Sequence, residues 1–317
     1  MPEAKIRLGI SSCLLGEKVR FDGGHKHDRF LTETLGRYVE YFPVCPEVEL
    51  GLPTPRETLR LVGEPESQRL VFSKSGEDIT ARMKAWAQKR VAELEKEDLC
   101  GFIFKSKSPS SGMERVKLYD ANGVPNSQGV GLFAQAFMQH FPLLPVEEDG
   151  RLHDPKLREN FIEIIFTLKR WRQSLECGKT VGNLIDFHTR HKLLLLSHST
   201  EIYRQMGKLV ANPGKTDIET LHDSYLALLM KGLRLKTTLA KHVNVLQHIL
   251  GYFKKELSAN EKQEVLQTFA DYRAGLLPLV VPVTLLNHFV LKYDQPYLKQ
   301  QVYLHPHPLE LKLRNHV

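Results

Sequence analysis

Two cysteine thiols are the side chains in this sequence whose type and placement best suit them to chemistry. Cys13 follows an apolar run at residues 6–10, and Cys45 follows a second apolar run at residues 39–44. Both adjoin loops of glycine and polar residues, where a thiol gains little from packing, so we interpret them as a functional pair. Two such thiols can ligate zinc, ligate an iron–sulfur cluster or undergo redox chemistry. Two cysteines alone do not indicate which of these three functions applies.

A third polar loop, at residues 107–112, follows the apolar run at residues 101–104. Because ligands bind outside the carboxyl ends of parallel strands, we expect this loop and the two cysteines at one edge of a sheet. Cys100 stands at the opposite end of its strand, which puts it about 17–20 Å from that edge if the strand has the usual length. Its position therefore predicts a buried structural thiol.

The elements that would position these loops alternate between strand and helix patterns in the first half of the chain. Such alternation favours an α/β domain with a mainly parallel sheet. The pattern predicts strands at residues 6–10, 39–44, 69–72 and 101–104, helices at 29–37, 80–96 and 132–140, and a loop at 120–131. Residues 142–156 contain three prolines and three consecutive acidic residues, which indicates a junction between domains.

Beyond this junction, apolar residues recur at helical spacing, which predicts an all-α C-terminal domain. The predicted helices lie at residues 159–173, 180–197, 201–209, 217–233, 238–253, 259–274 and 281–291. We therefore expect an α/β domain at residues 1–148 and an all-α domain at residues 149–317.

The charge of the chain is divided unevenly between these two parts. The 317 residues carry 44 Lys and Arg against 37 Asp and Glu, a net charge of +7. Residues 1–150 hold 20 basic and 22 acidic side chains, so the remainder carries a net charge of +9. A basic helical domain is suited to a polyanion, although a solvated positive helix face explains the charge equally well.

Composition also limits the class of protein. With 42% hydrophobic and 26% charged residues, the chain is neither collagen-like nor wholly disordered. No apolar run reaches the roughly 20 residues of a membrane helix. The first residues lack the apolar stretch of a signal peptide, so we expect a cytoplasmic protein that does not associate with a membrane.

Four motifs resemble those of the thiouracil desulfidases and occur in the same order. They are SCLLG at residues 12–16 leading to RFDG at 20–23, PVCPEV at 43–48, GLPTPR at 51–56 and SPSSG at 108–112. In that family three cysteines hold a 4Fe–4S cluster whose fourth iron is open. The resemblance implies that Cys13 and Cys45 are two of the ligands and places Ser111 where the family has the third cysteine.

Ser111 is the main departure from the family pattern. A serine oxygen is a harder and more basic ligand than a thiolate, so it suits an iron–sulfur cluster poorly. Cys100 would be the obvious substitute, but its place at the far end of a strand argues against it. We therefore expect a labile cluster.

The second half resembles an all-helical domain that is often fused to such proteins, through FHTRHKLLLLSHS at residues 187–199. The fused form is similar to family members that remove sulfur from 4-thiouridine in tRNA, giving uridine and sulfide with no net redox change. This resemblance implies an enzyme in which Glu47 handles a proton and Ser108 holds the base or a water molecule. The expected RNA-binding residues are Lys105, Lys107, Arg115, Lys169, Arg170, Arg172, Arg190 and Lys192.

Some of these residues also have simpler interpretations. At helical spacing His188, His191 and Lys192 share one face, which a solvated polar surface explains as well as RNA does. Trp86 and Trp171 are expected to be core anchors rather than platforms for bases.

Two other functions remain open at this point. The chain could be a catalytically silent tRNA-binding module that kept the fold after losing the third cysteine. It could also be a structural protein with a zinc site formed by Cys13, Cys45 and a histidine such as His25 or His27. No obligate protein partner is expected under any of these hypotheses.

Overall fold

The described chain, residues 5–214 and 216–316 of a computed structural model, divides into two compact units. The first unit ends at Leu157 and the second begins at Arg158. The domain boundary expected after residue 148 stays a prediction.

Strands of the first unit form two four-stranded sheets among the described residues. In chain order they are β1 (Ile6–Ser11), β2 (Val39–Val44), β3 (Leu59–Val62), β4 (Arg69–Phe72), β5 (Phe102–Phe104), β6 (Val116–Tyr119), β7 (Pro125–Gly129) and β8 (Val146–Glu148). One sheet has the order β2-β1-β5-β8, and its neighbouring strands all pair in parallel. The other has the order β4-β3-β6-β7 and mixes parallel with antiparallel pairs. The mainly parallel α/β fold is confirmed.

The prediction of a continuous loop at residues 120–131 is wrong, because β7 lies within it and pairs with β6. Its sequence, PNSQG, is almost entirely exposed at the edge of a sheet. Such a strand carries no alternation of apolar and polar residues for sequence analysis to detect.

The α-helices of the first unit are α1 (Pro46–Glu49), α2 (Thr80–Glu95) and α3 (Leu132–His140). The last two were predicted, whereas residues 29–37 form a π-helical turn (Phe30–Thr34) and a 3₁₀ turn (Leu35–Arg37) instead of the single helix predicted there. The remaining helices are α4 (Pro155–Glu176), α5 (Val181–His198), α6 (Thr200–Ala211), α7 (Ile218–Leu233), α8 (Leu239–Leu250), α9 (Ala259–Arg273), α10 (Val280–Lys292) and α11 (Pro296–Lys299). None of the helices described here is long and apolar enough to cross a membrane.

The starts of α4 to α9 are fixed by polar side chains that accept hydrogen bonds from the first-turn backbone. Asp154 accepts from the N–H groups of Lys156 and Leu157, which explains why α4 begins at a proline, ahead of the predicted start at residue 159. The same role is played at the next helices by Thr180, Ser199, Asp217, Thr238 and Ser258.

Aromatic packing holds β1 and β5 together under the edge where the loops gather. Phe102 stacks on Phe104 and contacts Phe133 and Phe137 of α3. A Cβ at Gly9 of β1 would lie 2.2 Å from the Phe102 ring, so only glycine fits at this crossing. In the second unit Trp171 packs against Phe187 and Tyr225, as expected for a core anchor.

A buried group of charges ties the segment after α11 to α4. The Arg314 guanidinium lies 3.5 Å from Glu163 and 3.4 Å from Glu159 and donates to the Tyr303 carbonyl. Glu163 also accepts a hydrogen bond of 2.6 Å from His198 of α5. Burial by itself would raise the pKa of Glu163, but His198 and Arg314 outweigh it and hold the pKa at about 2.

Candidate functional site

The three loops predicted to meet do so around one cavity of about 540 Å³. It opens at the carboxyl ends of β1, β2 and β5, the edge at which ligands bind in parallel sheets. The cavity lining includes the five residues predicted for ligation and catalysis, which are Cys13, Cys45, Glu47, Ser108 and Ser111. Cys100 is not part of this lining; it is buried at the other end of β5, as expected for a structural thiol.

Tight turns at the strand ends fix the two thiols. Cys13 lies in a single 3₁₀ turn after β1, which ends at Gly16 in the left-handed region with φ of 95°. The Cys13 carbonyl accepts from the Lys26 N–H at 2.9 Å, which folds the glycine-rich loop back over the strand end. Cys45 follows β2 directly, and its N–H donates to Glu49 of α1.

Both thiols are buried, and burial raises the pKa of each. Burial raises the pKa of Cys13 to about 11, although Lys105 and Arg20 act in the opposite direction. Burial also raises the pKa of Cys45 to about 12, with the neighbouring carboxylate of Glu47 adding to the effect. Thiols of this kind become ligands only when a metal centre displaces their protons.

Glu47 is held between a thiol and a serine. One carboxylate oxygen accepts from Ser110 Oγ at 2.6 Å, and the other lies 3.6 Å from Cys45 Sγ. The same second oxygen is 3.8 Å from the Arg56 guanidinium, whose side chain is only 6% exposed. A carboxylate fixed in this way at the cavity wall can take or give a proton without first having to reorient.

Ser110, which sequence analysis did not select, joins the polar residues of the site. Its fully buried hydroxyl lies 3.0 Å from Ser108 Oγ and 3.5 Å from Ser111 Oγ. Ser108 Oγ in turn accepts from the N–H groups of Ser110 and Ser111. The several serines of the SPSSG motif were the available signal, but the contact of Ser110 with Glu47 depends on how two distant loops meet.

Lys105 is fixed at the cavity wall by Asp149. Lys105 Nζ lies 2.9 Å from the carboxylate, which also accepts from the Ser106 N–H at 2.7 Å. Burial by itself would raise the pKa of Asp149, but these hydrogen bonds outweigh it and leave the pKa below its usual value. The pair therefore keeps a cation beside Cys13.

Replacing Asp149 by asparagine tests this arrangement. We expect D149N to lower the unfolding free energy of the first unit by about 1.5–3 kcal/mol at pH 7, because hydrogen bonds to a charged group are lost. The pKa of Asp149 is lower in the folded than in the unfolded protein. The stabilisation by this carboxylate is therefore complete above its unfolded pKa and is lost as the pH falls through its folded pKa. The difference in unfolding free energy between wild type and D149N should accordingly become smaller below about pH 4.

Hydrogen exchange of amides in β1 and β5 would measure this difference. The exposed carboxylate of Glu93, which lies near Lys89 and Arg90, provides the control, because E93Q removes ion pairs that solvent screens. A D149N protein as stable as E93Q at pH 7 would contradict the assigned role.

The donor set suits an iron–sulfur cluster only in part, because two of the donor atoms are sulfur and the third is the harder oxygen of Ser111. Cys13, Cys45 and Ser111 line one cavity, together with Arg20, Arg56 and Lys105. The zinc hypothesis finds less support. His27 Nε2 lies 2.9 Å from Thr32 Oγ1, and neither His25 nor His27 is among the described residues lining the cavity. Within the described residues, no group of three or more His, Cys, Asp or Glu side chains is arranged to hold a metal ion.

The residues predicted to bind RNA lie in both units and do not form one group. Lys105 and Lys107 line the central cavity, while Arg115 lines a neighbouring cavity of about 600 Å³ together with Lys107, Lys117 and Arg60. In the second unit Arg170 and Arg190 line a cavity, and Lys169, Arg172 and Lys192 are half-buried. Their contact with RNA stays a prediction.

The interpretation of His188 and His191 as part of a solvated polar face is wrong. The two side chains are 4% and 2% exposed, because α5 packs against neighbouring helices on more than one side. His188 Nδ1 lies 3.1 Å from the Tyr225 hydroxyl in the core.

Comparisons with known proteins match the two parts of the chain to two different family models. Residues 8–149 match the family model described as 2-thiouracil desulfurase, and residues 192–308 match one described as protein of unknown function DUF1722. The uncharacterized protein YbgA of Escherichia coli K12 is 31% identical over 152 residues, which are 48% of this chain and 90% of that protein.

Two further relatives were found. The uncharacterized protein YbbK of Bacillus subtilis 168 is 30% identical over 108 residues, which are 32% of this chain and 71% of that protein. Among solved structures, the 4Fe–4S-dependent thiouracil desulfidase TudS is 29% identical and covers 47% of this chain and 95% of its own, with a TM-score of 0.39.

Proposed function

We propose that this chain, which belongs to the family that joins a 2-thiouracil desulfurase domain to a DUF1722 domain, removes sulfur from 4-thiouridine in tRNA. The observation that carries the proposal is the meeting of Cys13, Cys45, Glu47, Ser108 and Ser111 around one cavity at the edge of the parallel sheet. Uridine and sulfide are the products.

A 4Fe–4S cluster in this cavity would be held by Cys13, Cys45 and Ser111, the three donors that face it. When bound, such a cluster supplies a Lewis-acidic iron with an open position for a soft sulfur atom. Arg20, Arg56 and Lys105 also line the cavity, and each is paired with a carboxylate, that of Asp22, Glu47 and Asp149 respectively.

The protein's own residues provide the acid–base chemistry. Water adds to the base carbon that carries sulfur, and Glu47 accepts its proton through the carboxylate that Ser110 holds in place. Ser108 is positioned to hold the base or the attacking water. The overall change exchanges C=S and water for C=O and hydrogen sulfide, so neither an oxidant nor a reductant is consumed.

An RNA substrate adds a further requirement, since a base in a stacked strand cannot enter a cavity of this kind. The thiolated base would have to leave the stack, as in other enzymes that modify bases. The cations predicted to bind RNA would hold the flanking phosphates during this step.

Placing cysteine at position 111 tests the function. We expect S111C, purified without oxygen, to hold iron and sulfide at least about tenfold longer than wild type, because a thiolate binds iron more strongly than a hydroxyl. Iron and sulfide content and visible absorption measure retention, and sulfide release from tRNA containing 4-thiouridine measures activity. S12C is the control, because Ser12 lines the same cavity but not at the third ligand position.

Two outcomes would contradict the proposal. An S111C protein with an intact cluster that releases no sulfide from thiolated tRNA or thiouracil would exclude the desulfidase function. A colourless S111C protein that still binds tRNA would favour a silent RNA-binding module.

A further inference from the structure

Phe21 is the only aromatic side chain among the described residues that line the central cavity, and the chemistry described above does not involve it. It lies in the loop between Cys13 and β2, within the RFDG motif. Phe21 is 40% exposed, whereas Phe102, Phe104 and Phe137 in the core of the same unit are completely buried. Covering an apolar ring is favourable in proportion to the area removed from water, so a ligand that packs on Phe21 gains affinity.

The backbone of this loop holds Phe21 in place without a ligand. The Phe21 carbonyl accepts from the Arg56 N–H at 2.8 Å. The Gly23 N–H donates to the Arg20 carbonyl at 2.9 Å, and the Arg20 N–H donates to the Gly24 carbonyl at 3.2 Å. These bonds close a turn at which Gly23 has a left-handed φ of 73°. Because the backbone is already fixed, little binding free energy is lost in ordering it around a ligand.

The Arg20 guanidinium covers part of the Phe21 ring. Its central carbon lies 5.4 Å from the ring centroid, within the range of a cation–π contact. Arg20 Nε in turn lies 3.6 Å from the Asp22 carboxylate. With this contact in place Phe21 is still 40% exposed, so surface remains for a second planar group.

The rest of the lining limits the class of that group. Besides Phe21, the cavity is lined by thiols, hydroxyls, carboxylates, cations and a few apolar side chains. A purely apolar ligand such as an acyl chain would cover these polar groups without offering them hydrogen bonds, which is costly. A heterocyclic base has an apolar face and a hydrogen-bonding edge, so it suits both the ring and the polar lining.

We propose that Phe21 is the platform on which the thiolated pyrimidine stacks once it has left the RNA strand. The inference rests on the proposed function, since it takes the base in the cavity to come from RNA. A base that leaves the strand loses its stacking neighbours, and an aromatic side chain replaces part of that contact. Stacking requires a planar ring but not a sulfur atom, so Phe21 contributes to the affinity for thiolated and oxygen-containing pyrimidines alike.

The test compares two RNA stem-loops that differ only at one unpaired position, which carries uridine or 5,6-dihydrouridine. Dihydrouridine keeps the hydrogen-bonding edge of uridine, but its ring is neither aromatic nor planar. Neither base contains sulfur, so neither is consumed during the measurement. We expect the full-length protein to bind the uridine RNA about tenfold more tightly, which is typical of one base stacked on an aromatic side chain. This comparison needs no variant, so it stays informative even if a substitution impairs folding.

Variants at position 21 then locate the effect. F21L keeps an apolar side chain without a stacking face, and we expect it to bind both RNAs as weakly as wild type binds the dihydrouridine RNA. F21W should keep the preference for uridine, and uridine RNA should quench its fluorescence more than that of wild type, which has two tryptophans. L143A is the control, because Leu143 is 37% exposed but is not among the described residues that line the cavity.

The outcomes separate this inference from the function on which it rests. Equal binding of the two RNAs by wild type, or an F21L protein that keeps the full preference for uridine, would overturn the role of Phe21. A preference that disappears when both neighbours of the test position are abasic would show that the ring stacks on a neighbouring base, which overturns the assignment to the reacting base.

Wild type that binds neither RNA would exclude the tRNA substrate, and free uridine and dihydrouridine would then test Phe21 alone. A preference for free uridine that F21L removes would support the platform. Equal binding of the two nucleosides, or no binding of either, would overturn it.

Discussion

Replacing Glu47 by glutamine is expected to lower kcat for sulfide release by about 10²–10⁴-fold while leaving the iron content of the protein unchanged. The amide keeps the size of the side chain and can still accept from Ser110, but it cannot take a proton from water. The loss should therefore appear in kcat, since the carboxylate acts on the reacting water rather than on substrate binding.

Steady-state sulfide release at saturating substrate, with the iron content measured on the same sample, would check this expectation. E66Q is the control, because Glu66 is an exposed carboxylate away from the cavity. If E47Q retained kcat within a few fold of wild type at equal iron content, the proton would have to be handled by another group.

Replacing Arg314 by methionine should lower the unfolding free energy of the helical unit by about 3–5 kcal/mol, since it removes the guanidinium from the buried carboxylates of Glu159 and Glu163. Glu163 is completely enclosed, and its low pKa depends on both His198 and Arg314. Methionine preserves much of the volume, so the loss reports the charge rather than a cavity.

Hydrogen exchange of amides in α4 and α5 would measure this change without interference from the first unit. R273M is the control, because Arg273 is an exposed residue near the end of α9. Equal stability of the two variants would show that the buried carboxylates are neutralised by other means.

The part of the site that could be predicted from sequence follows from one rule, that loops after parallel strands meet at the carboxyl edge of the sheet. Because Cys13, Cys45 and the SPSSG loop each follow a parallel strand, their meeting required no knowledge of side-chain packing. Ser110 could not be found in this way, because its role is to donate a hydrogen bond to Glu47, which is 63 positions away along the chain.

Helical spacing was a weaker guide in the second unit. It predicted the helices, but it could not show that His188 and His191 would be buried, because a helix inside a bundle can pack on several sides. The polar edge strand β7 was missed for a related reason: without a buried face it has no pattern.

The hydrogen bonds of the three serine hydroxyls in the SPSSG loop have defined donors and acceptors. Ser110 gives its only proton to Glu47, so Ser108 and Ser111 must point their protons toward Ser110. The lone pairs of Ser111 Oγ are then left to accept from a second donor or to bind a Lewis acid. A thiol at position 111, with its weak hydrogen bonds, would loosen this row and leave Ser110 held mainly by Glu47 and Ser108.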